Sequence, residues 1–398
     1  MKLPRPEERT ALLRHLRQEK MARSAHAYLR GSTVHFYQWL HSQRGRTLPH
    51  GPNVWICGDC HVGNLGPIAD RHGRIDIHIR DLDQSVIGNP VHDLVRLALS
   101  LATAVRGSDL PGVTTAHMLE AMMRGYEASF EEAPAGMPKR PPQVQACMRD
   151  AVERTWKHLA HARVSNTRPS LPLGRHFWPL SRAESAAIEA FCATPALQRL
   201  VSALQGRAAD ARVAMLDSAF WVKGCSSLGL LRYAVLLSVG EADERDYCLI
   251  DVKEAVRAAA PRGAHVHMPR DNAHRVLEGA RQLSPTLGKR MMATRFLDHG
   301  VFVRELLPQD LKLELDTLNR QEAMAAADYL ARVLGIAHAR QMDEGTRKNW
   351  LADLRLNRSR TLDAPSWLWT SVVQLIGRHE EGYLEHCRRY MYALGKAQ

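Results

Sequence analysis

The sequence predicts an α+β protein in which a small β-rich unit lies, in sequence, between two helical parts. Three observations predict it. Apolar residues recur at helical spacing through most of residues 8–215. Between about residues 216 and 307 they form short stretches bounded by turn residues. From about residue 316 to the C-terminus the helical spacing returns. The expected division is residues 1–215 and 308–398 as helical parts of one large lobe, with 216–307 as a small sheet lobe.

In chain order, Leu12, Leu13, Leu16, Met21, Tyr28 and Leu29 mark helix within residues 8–44. Arg30-Gly31-Ser32 breaks it before a short helix through 35–41. After Pro49, Gly51 and Pro52, residues 54–57 read as a short buried strand and 58–66 as a polar loop. Residues 74–80 (RIDIHIR) alternate with period two, as a strand does. Residues 91–105 form the longest apolar run but contain Arg96, so a buried helix is expected. Helical patterns fill 107–215, interrupted at 133–142 and 169–173. Strands are expected at 220–222, 232–239, 247–252 and 301–306, a helix at 272–283, and a break at Pro365.

The 398 residues carry 54 Lys and Arg against 42 Asp and Glu, a net charge of 54 − 42 = +12. Such a field draws polyanions, whether nucleotides, nucleic acid or acidic lipid. The charge is spread along the chain, so a diffuse solvated face accounts for it better than a polyanion-binding surface; nucleic acid is compatible but not required. No run of about eighteen apolar residues occurs, so no membrane span is expected. The opening MKLPRPEERT lacks an apolar signal core, which makes a cytoplasmic location the expectation. Seven cysteines, an odd number, point to reduced thiols.

Chemistry concentrates in Cys57-Gly58-Asp59-Cys60-His61-Val62-Gly63-Asn64 and in Arg80-Asp81-Leu82-Asp83. A strand, a loop with Asp and Asn, and a second strand ending in Asp gather oxygen ligands. Mg²⁺ takes such ligands, commonly one or two carboxylates plus substrate phosphates. Phosphoryl transfer also needs a carboxylate that orients the attacking hydroxyl. Cys57, Cys60 and His61 lack the second half of a structural zinc site.

The segment GDCHVGN resembles the catalytic loop of aminoglycoside phosphotransferases and related protein-kinase-like enzymes, His-Gly-Asp-x-His-x-Gly-Asn. The resemblance implies that Asp59 is the catalytic base and Asn64 a metal ligand, with His61 supporting the loop. Asp81 is followed by Gly88-Asn89-Pro90 and Asp93-Leu94 at the family's spacing, which makes Asp81 the implied metal ligand and Asp93 a buried structural carboxylate. Cys57 replaces the family's His and Asn89 its Asp. The RDLDQS segment, part of a wider likeness given below, implies Asp83 as a further acidic residue near the metal, its role open.

A kinase-like site also needs a loop over the phosphates and a lysine. Lys223-Gly224-Cys225-Ser226-Ser227-Leu228-Gly229 lies between two expected strands, and small residues let backbone N–H groups approach phosphate oxygens. Gly224, Ser226, Ser227 and Gly229 are thus candidate phosphate binders. The strand ending in Val252-Lys253-Glu254-Ala255 resembles the kinase strand whose Lys meets the α/β-phosphates. Glu278, on the following helix, is the implied partner of Lys253. Backbone around Glu305–Leu307 is the implied adenine contact, and Arg30 a candidate for the phosphate site or a structural ion pair.

These parts stand in reverse of the usual kinase order. Residues 329–340 (YLARVLGIAHAR) resemble the helix that ordinarily precedes the catalytic loop. The expectation is a circularly permuted, two-lobe kinase-like fold. Over nearly its full length the chain also resembles the uncharacterised bacterial family called domain of unknown function 2252. Met21, Ser24–Gly31, CGDCHVGN, RDLDQS, Val252–Ala255 and Ala337–Arg340 carry that likeness.

The expected function is ATP-dependent phosphoryl transfer with Mg²⁺ or Mn²⁺ to an unidentified small molecule or protein. Transfer of AMP onto a protein side chain uses the same residues. A metal-dependent phosphoesterase, suggested by GDCH and Gly263-Ala264-His265-Val266-His267, is an alternative from another class. So is a catalytically inactive protein that binds nucleotides or polyanions, whose binding would be salt-sensitive.

Overall fold

The computed structural model describes residues 3–43, 48–70, 72–106, 112–131, 137, 139–153, 170–203, 207–208, 210–225, 227–240, 246–307, 319–356 and 364–395. Helices α1 (Arg9–Ala22), α2 (Ala25–Gly31) and α3 (Thr33–Gln43) open the chain. Strands β1 (Val54–Ile56), β2 (Leu65–Ala69), β3 (Ile75–Ile79) and β4 (Val86–Gly88) frame the acidic loops. Helices α4 (Val91–Arg106), α5 (Gly112–Glu127) and α6 (Pro142–Glu153) follow. Then come β5 (Phe177–Trp178), α7 (Arg182–Cys192), α8 (Pro195–Ser202), β6 (Val213–Trp221), β7 (Arg232–Val239) and β8 (Asp246–Glu254). Helices α9 (Asn272–Leu283) and α10 (Pro285–Gly288) precede β9 (Met291–Phe296) and β10 (His299–Leu306). Helices α11 (Arg320–Ala339), α12 (Glu344–Arg355) and α13 (Ser366–Gly395) complete the described elements.

Local chemistry sets several of these boundaries. Ser24 Oγ accepts the Ala27 N–H and separates α1 from α2, a break the Arg30–Ser32 step does not mark. Asp271 caps α9 through the His274 N–H, and Asn319 with Glu322 forms a capping box that starts α11.

The mixed α+β organisation is as the sequence predicts. One sheet runs in the order β5-β6-β7-β8-β10-β9, every neighbour antiparallel. Side chains alternate across it. One face, with Val235, Leu237, Ile250, Val252, Val301 and Val303, is covered by Ile188, Leu197 and Val201 of α7 and α8. The other carries the apolar cluster Trp221, Ala234, Leu236, Leu249 and Leu306, and beside it the charged residues Arg232, Asp251, Lys253 and Arg304. The large core beyond that face takes in β1, β2, α4, α5 and α11, and also Ala273, Val276, Ala280 and Leu283 of α9. Helix α9 thus ties the sheet to the helical body.

Four strands escape the sequence pattern, among them the three-residue β4, which pairs with β1. β2 contains Gly66 and Pro67 and reads as loop, yet it pairs only with β3, where a proline costs one ladder bond. β9 is a sheet edge without clean alternation. β5 is two residues long and brings a segment from before residue 216 into the sheet. No helix among the described residues is long and apolar enough to cross a membrane.

Candidate functional site

The loop after β1 is held in place by its backbone. Gly58 has φ +74°, and a Cβ there would lie 2.1 Å from the Gln84 carbonyl oxygen, so only glycine fits. Its carbonyl accepts from the Tyr37 hydroxyl at 2.6 Å. Asp93, on the first turn of α4, accepts from Cys57 N at 2.6 Å and Gly58 N at 2.9 Å. This is the structural role expected of it. His338 Nε2 of α11 lies 3.3 Å from Asp93, off the line of a hydrogen bond, while its Nδ1 meets the Tyr126 hydroxyl at 2.9 Å. Gln341, just beyond α11, brackets Trp55 of β1 with Oε1 on its N–H at 2.7 Å and Nε2 on its carbonyl at 3.1 Å. The end of α11 therefore lies alongside the strand that leads into the loop.

Asp59 is buried and ion-paired with Arg96 of α4. Burial raises its carboxyl above the ordinary value, and Arg96 opposes that rise. Asn64 Nδ2 donates to the Asp59 carbonyl at 2.8 Å, so the amide oxygen is the atom that could hold a metal. The Asn64 carbonyl accepts from Arg80 N at 2.8 Å, which sets Asn64 across from the residue preceding Asp81. His61 is buried, its Nδ1 unpaired among the described residues, and burial with Arg30 nearby holds the imidazole well below its ordinary pKa. It is a neutral packing residue here.

Lys253, on β8, reaches across to both aspartates, 2.8 Å from Asp83 Oδ2 and 3.5 Å from Asp81 Oδ1. The lysine is buried, whereas the Asp81 side chain is 41% exposed and open to a ligand. Burial works against ionisation of Asp81. The charges of Lys253, Arg304 and Arg232 outweigh it and hold the carboxyl well below the usual range. For Lys253 burial lowers the pKa, and Asp81 and Asp83 more than reverse that.

The same sheet face carries a second ion network. Arg232 pairs with Asp251 through Nε at 2.8 Å and Nη2 at 2.6 Å, and Arg304 approaches Asp251 at 3.2 Å while donating to the Arg80 carbonyl at 3.0 Å. Arg275 of α9 donates to the carbonyls of Ser85, of Asp83 at 2.9 Å and of Val256 at 2.9 Å. The loop bearing Asp81 and Asp83 is thus gripped by two arginines.

Glu278 does not take the role expected of it. Residues 273, 276, 277, 280 and 283 of α9 face the core, and Glu278 falls on the opposite side of the helix. Its carboxylate meets Arg281 at 3.3 Å and Gln282 at 3.4 Å, and the counter-charges of Lys253 are Asp81 and Asp83. The expectation at Glu305 concerns its backbone; its buried side chain lies on the far sheet face, paired with Arg207 at 2.9 Å. Only its backbone, with that of Leu307, faces the expected adenine role.

The glycine-bearing turn lies between β6 and β7. Gly224 has φ +90°, and a Cβ there would stand 2.4 Å from Ser227 Oγ. Ser227 donates to the Lys223 carbonyl at 3.1 Å, and Gly229 has φ +103°. Ser226 lies outside the described residues. Lys20 of α1 donates to the Gly224 carbonyl at 3.0 Å. Arg30, which makes no ion pair among the described residues, sits beside His61 and Gly63, and with Arg17 and Lys20 it acts on Cys225. The N-terminal helices therefore join the glycine turn to the Asp59 loop.

Asp81, Asp83 and the Asn64 amide offer the hard oxygens that Mg²⁺ or Mn²⁺ accepts alongside phosphates and water. No three His, Cys, Asp or Glu side chains converge as a metal cluster among the described residues. Cys57 and Cys60 are buried free thiols: the contact with Cys60, together with burial, pushes Cys57 well above its ordinary value, whereas for Cys60 the contact with Cys57 lowers the pKa and burial with the charges of Asp93 and Asp59 more than reverses it.

Sequence reasoning missed Arg96, Arg232, Arg304 and Arg275. Arg96 stood out within its apolar run, but its partner is 37 residues away. No curated protein and no solved structure matches the chain. Residues 9–389 match the model of a family described as an uncharacterized protein conserved in bacteria (DUF2252), and the chain belongs to that family.

Proposed function

We propose that the chain is an ATP-dependent phosphotransferase of the protein-kinase-like superfamily, its two lobes arranged in permuted sequence order. One observation carries the reading: Lys253 of the sheet meets Asp81 and Asp83, 172 and 170 residues earlier in the chain. Kinases set a strand lysine, a metal-binding Asp and a catalytic-loop Asn and Asp around the nucleotide phosphates. Supporting it, Lys253 lies on the strand after the β6–turn–β7 pair and is followed by a helix, the order of glycine loop, lysine strand and helix in kinases. The apolar cluster of Trp221, Ala234, Leu249 and Leu306 on the same face suits an adenine ring. The contact of Gln341 with Trp55 suits a permuted chain, in which the helix before the catalytic loop comes from the C-terminal part.

In this reading Lys253 steadies the α/β-phosphates, and the Gly224 turn offers them backbone N–H groups. Asp81, Asn64 and Asp83 would hold Mg²⁺, which neutralises charge on the phosphates when bound. Asp59 orients the acceptor hydroxyl and takes its proton, and Arg96 holds the Asp59 carboxylate in place. The departure of Glu278 leaves Lys253 without the helix carboxylate of ordinary kinases, and Asp83 fills that role.

The test is nucleotide binding and turnover with Mg²⁺ or Mn²⁺. ATP labelled at the α- or the γ-phosphate separates AMP transfer from phosphoryl transfer. Stabilisation by Mg-nucleotide that Asp81→Asn abolishes is expected. Metal-dependent activity that survives Asp81→Asn sinks the assigned site.

A further inference from the structure

Three cations, Arg17 and Lys20 of α1 and Arg30 of α2, gather around Cys225 of the glycine-bearing turn, and the charge of each reaches its thiol. Lys20 Nζ holds the Gly224 carbonyl at 3.0 Å, and Arg17 Nη2 holds that of Gly31 at 3.2 Å. Gly31 packs directly on the turn, since a Cβ there would lie 3.2 Å from Cys225 Sγ. On the other side, Arg30 Cζ stands 3.8 Å from where a Cβ of Gly63, the neighbour of Asn64, would lie. The cluster therefore bridges the turn and the Asp59 loop.

The same neighbours connect it to Lys253 and Asp81. Arg232 Nη1 stands 3.8 Å from where a Gly224 Cβ would lie, and the Arg232 charge acts on both Asp81 and Lys253. Arg30 and Asp81 both act on His61. The turn, Asp81 and the Asp59 loop are thus neighbours, with Lys253 on the sheet side and Arg30 on the helical side.

No carboxylate balances the cluster. Arg17, Lys20 and Arg30 make no ion pair among the described residues, and Glu19, the acid beside them, is tied to Arg23. All three are partly exposed. In the Arg30 guanidinium only Nε is buried; Nη1 and Nη2 have no hydrogen-bond partner among the described residues and are accessible to a ligand. Like charges held close repel unless an anion joins them, and a guanidinium beside an ammonium and a glycine turn matches phosphate.

We infer that Arg17, Lys20 and Arg30 form a phosphate subsite whose occupant is the γ-phosphoryl group of the nucleotide. Naming the occupant rests on the function proposed above; the subsite rests on the cluster. With Lys253 on the α/β-phosphates, the third phosphate follows the turn toward the Asp59 loop and meets Arg30. Transfer breaks the bond from the γ-phosphorus to the bridging oxygen and forms one to the acceptor oxygen. The acceptor proton passes to Asp59, and ADP leaves. Arg30 exchanges no proton; it stabilises charge on the γ-phosphoryl oxygens while the bonds change.

Calorimetric titration of the full chain with Mg-ADP, with Mg-AMP-PNP, whose γ-phosphate is not transferred, and with inorganic tripolyphosphate tests this. The native chain should bind Mg-AMP-PNP about tenfold more tightly than Mg-ADP, the worth of one charge-assisted contact. Arg30→Gln should erase that preference and leave Mg-ADP affinity unchanged. Lys20→Gln keeps a donor for the Gly224 carbonyl but loses the charge, and should narrow the preference. Arg23→Gln, at an exposed position paired with Glu19, should leave it intact. Equal native affinity for the two nucleotides, or a preference that survives Arg30→Gln, overturns the subsite while the nucleotide site stands. Should Arg30→Gln fail to fold, an unchanged preference in Lys20→Gln overturns it instead. If neither nucleotide binds but tripolyphosphate does, and Arg30→Gln abolishes that binding, the subsite stands and the phosphotransferase reading falls. If none of the three binds, both fall.

Discussion

Lys253 Nζ lies 3.5 Å from Asp81 Oδ1 although 172 residues separate them in sequence. The pair joins the six-stranded sheet to the helical body, and the function proposed above puts the nucleotide phosphates beside it. Both partners are shifted toward their charged forms by the contact, Asp81 down and Lys253 up. Under the proposed function, replacing Lys253 with Met would remove a charge-assisted hydrogen bond to phosphate. Mg-nucleotide affinity should fall by about 1.5–3 kcal/mol, roughly ten- to hundredfold in Kd. Thermal shift against Mg-ADP concentration reads this, and unchanged affinity would remove Lys253 from the site.

Asp59 and Arg96 should respond asymmetrically to mutation. Arg96→Met leaves a buried carboxylate without its counter-charge, which costs about 3–5 kcal/mol of stability. Asp59→Asn keeps the shape and a hydrogen-bond acceptor for Arg96. It should reduce phosphoryl transfer by about 10²–10⁴-fold, the worth of a positioned general base, while nucleotide binding persists. Denaturant unfolding and turnover measured on both variants separate the structural role from the chemical one.

The two Asp shifts have opposite consequences for acid stability. The Asp251 carboxyl is held below its ordinary 3.8 by Arg232 and Arg304, which outweigh its burial. Its contribution is complete above that value and fades as pH falls below it. Asp59 is raised, so its buried charge costs stability at neutral pH and that cost fades on acidification. The carboxyls held low, Asp251, Asp81, Asp70, Glu184 and Asp271 among them, outnumber those held high, Asp59, Glu305 and Asp328, so the folded state should weaken below about pH 4. In Asp251→Asn the midpoint of denaturation should depend less steeply on pH than in the native chain. An equal slope would show that Asp251 titrates alike in the folded and unfolded states, so that the Arg232–Asp251–Arg304 network does not lower its pKa.

What the sequence disclosed was set by local spacing. Asp59, Asn64, Asp81 and Asp93 lie within one stretch whose intervals are fixed by a strand, a tight loop and a helix start, and Asp93 does bind the loop backbone as its position implies. Helix α9 was legible to the residue because Asp271 caps it and its apolar face is regular. Partners chosen by tertiary packing were not legible. Arg96 meets Asp59, and Arg304 meets the Arg80 carbonyl, across chain separations of 37 and 224 residues. β9 gave no signal because its residues do not alternate between buried and exposed along the strand.

Glu278 and Arg275 lie on one helix, three residues apart, and separate an analogy from a geometry. In ordinary kinases a helix carboxylate pairs with the strand lysine, and losing it disables the site. Here Glu278 meets Arg281 and Gln282 on the outer side of α9, so Glu278→Gln should leave Mg-nucleotide affinity unchanged. Arg275 instead grips the carbonyls of Asp83, Ser85 and Val256, and its charge is buried. Arg275→Gln strands three carbonyls that shape the Asp83 loop, at about 1–3 kcal/mol for each left unsatisfied. Affinity should therefore drop with Arg275→Gln even where the fold survives, since Asp81 and Asp83 lose their fixed distance from Lys253. If Glu278→Gln proves the more damaging of the two, α9 rotates on nucleotide binding to bring that carboxylate to Lys253.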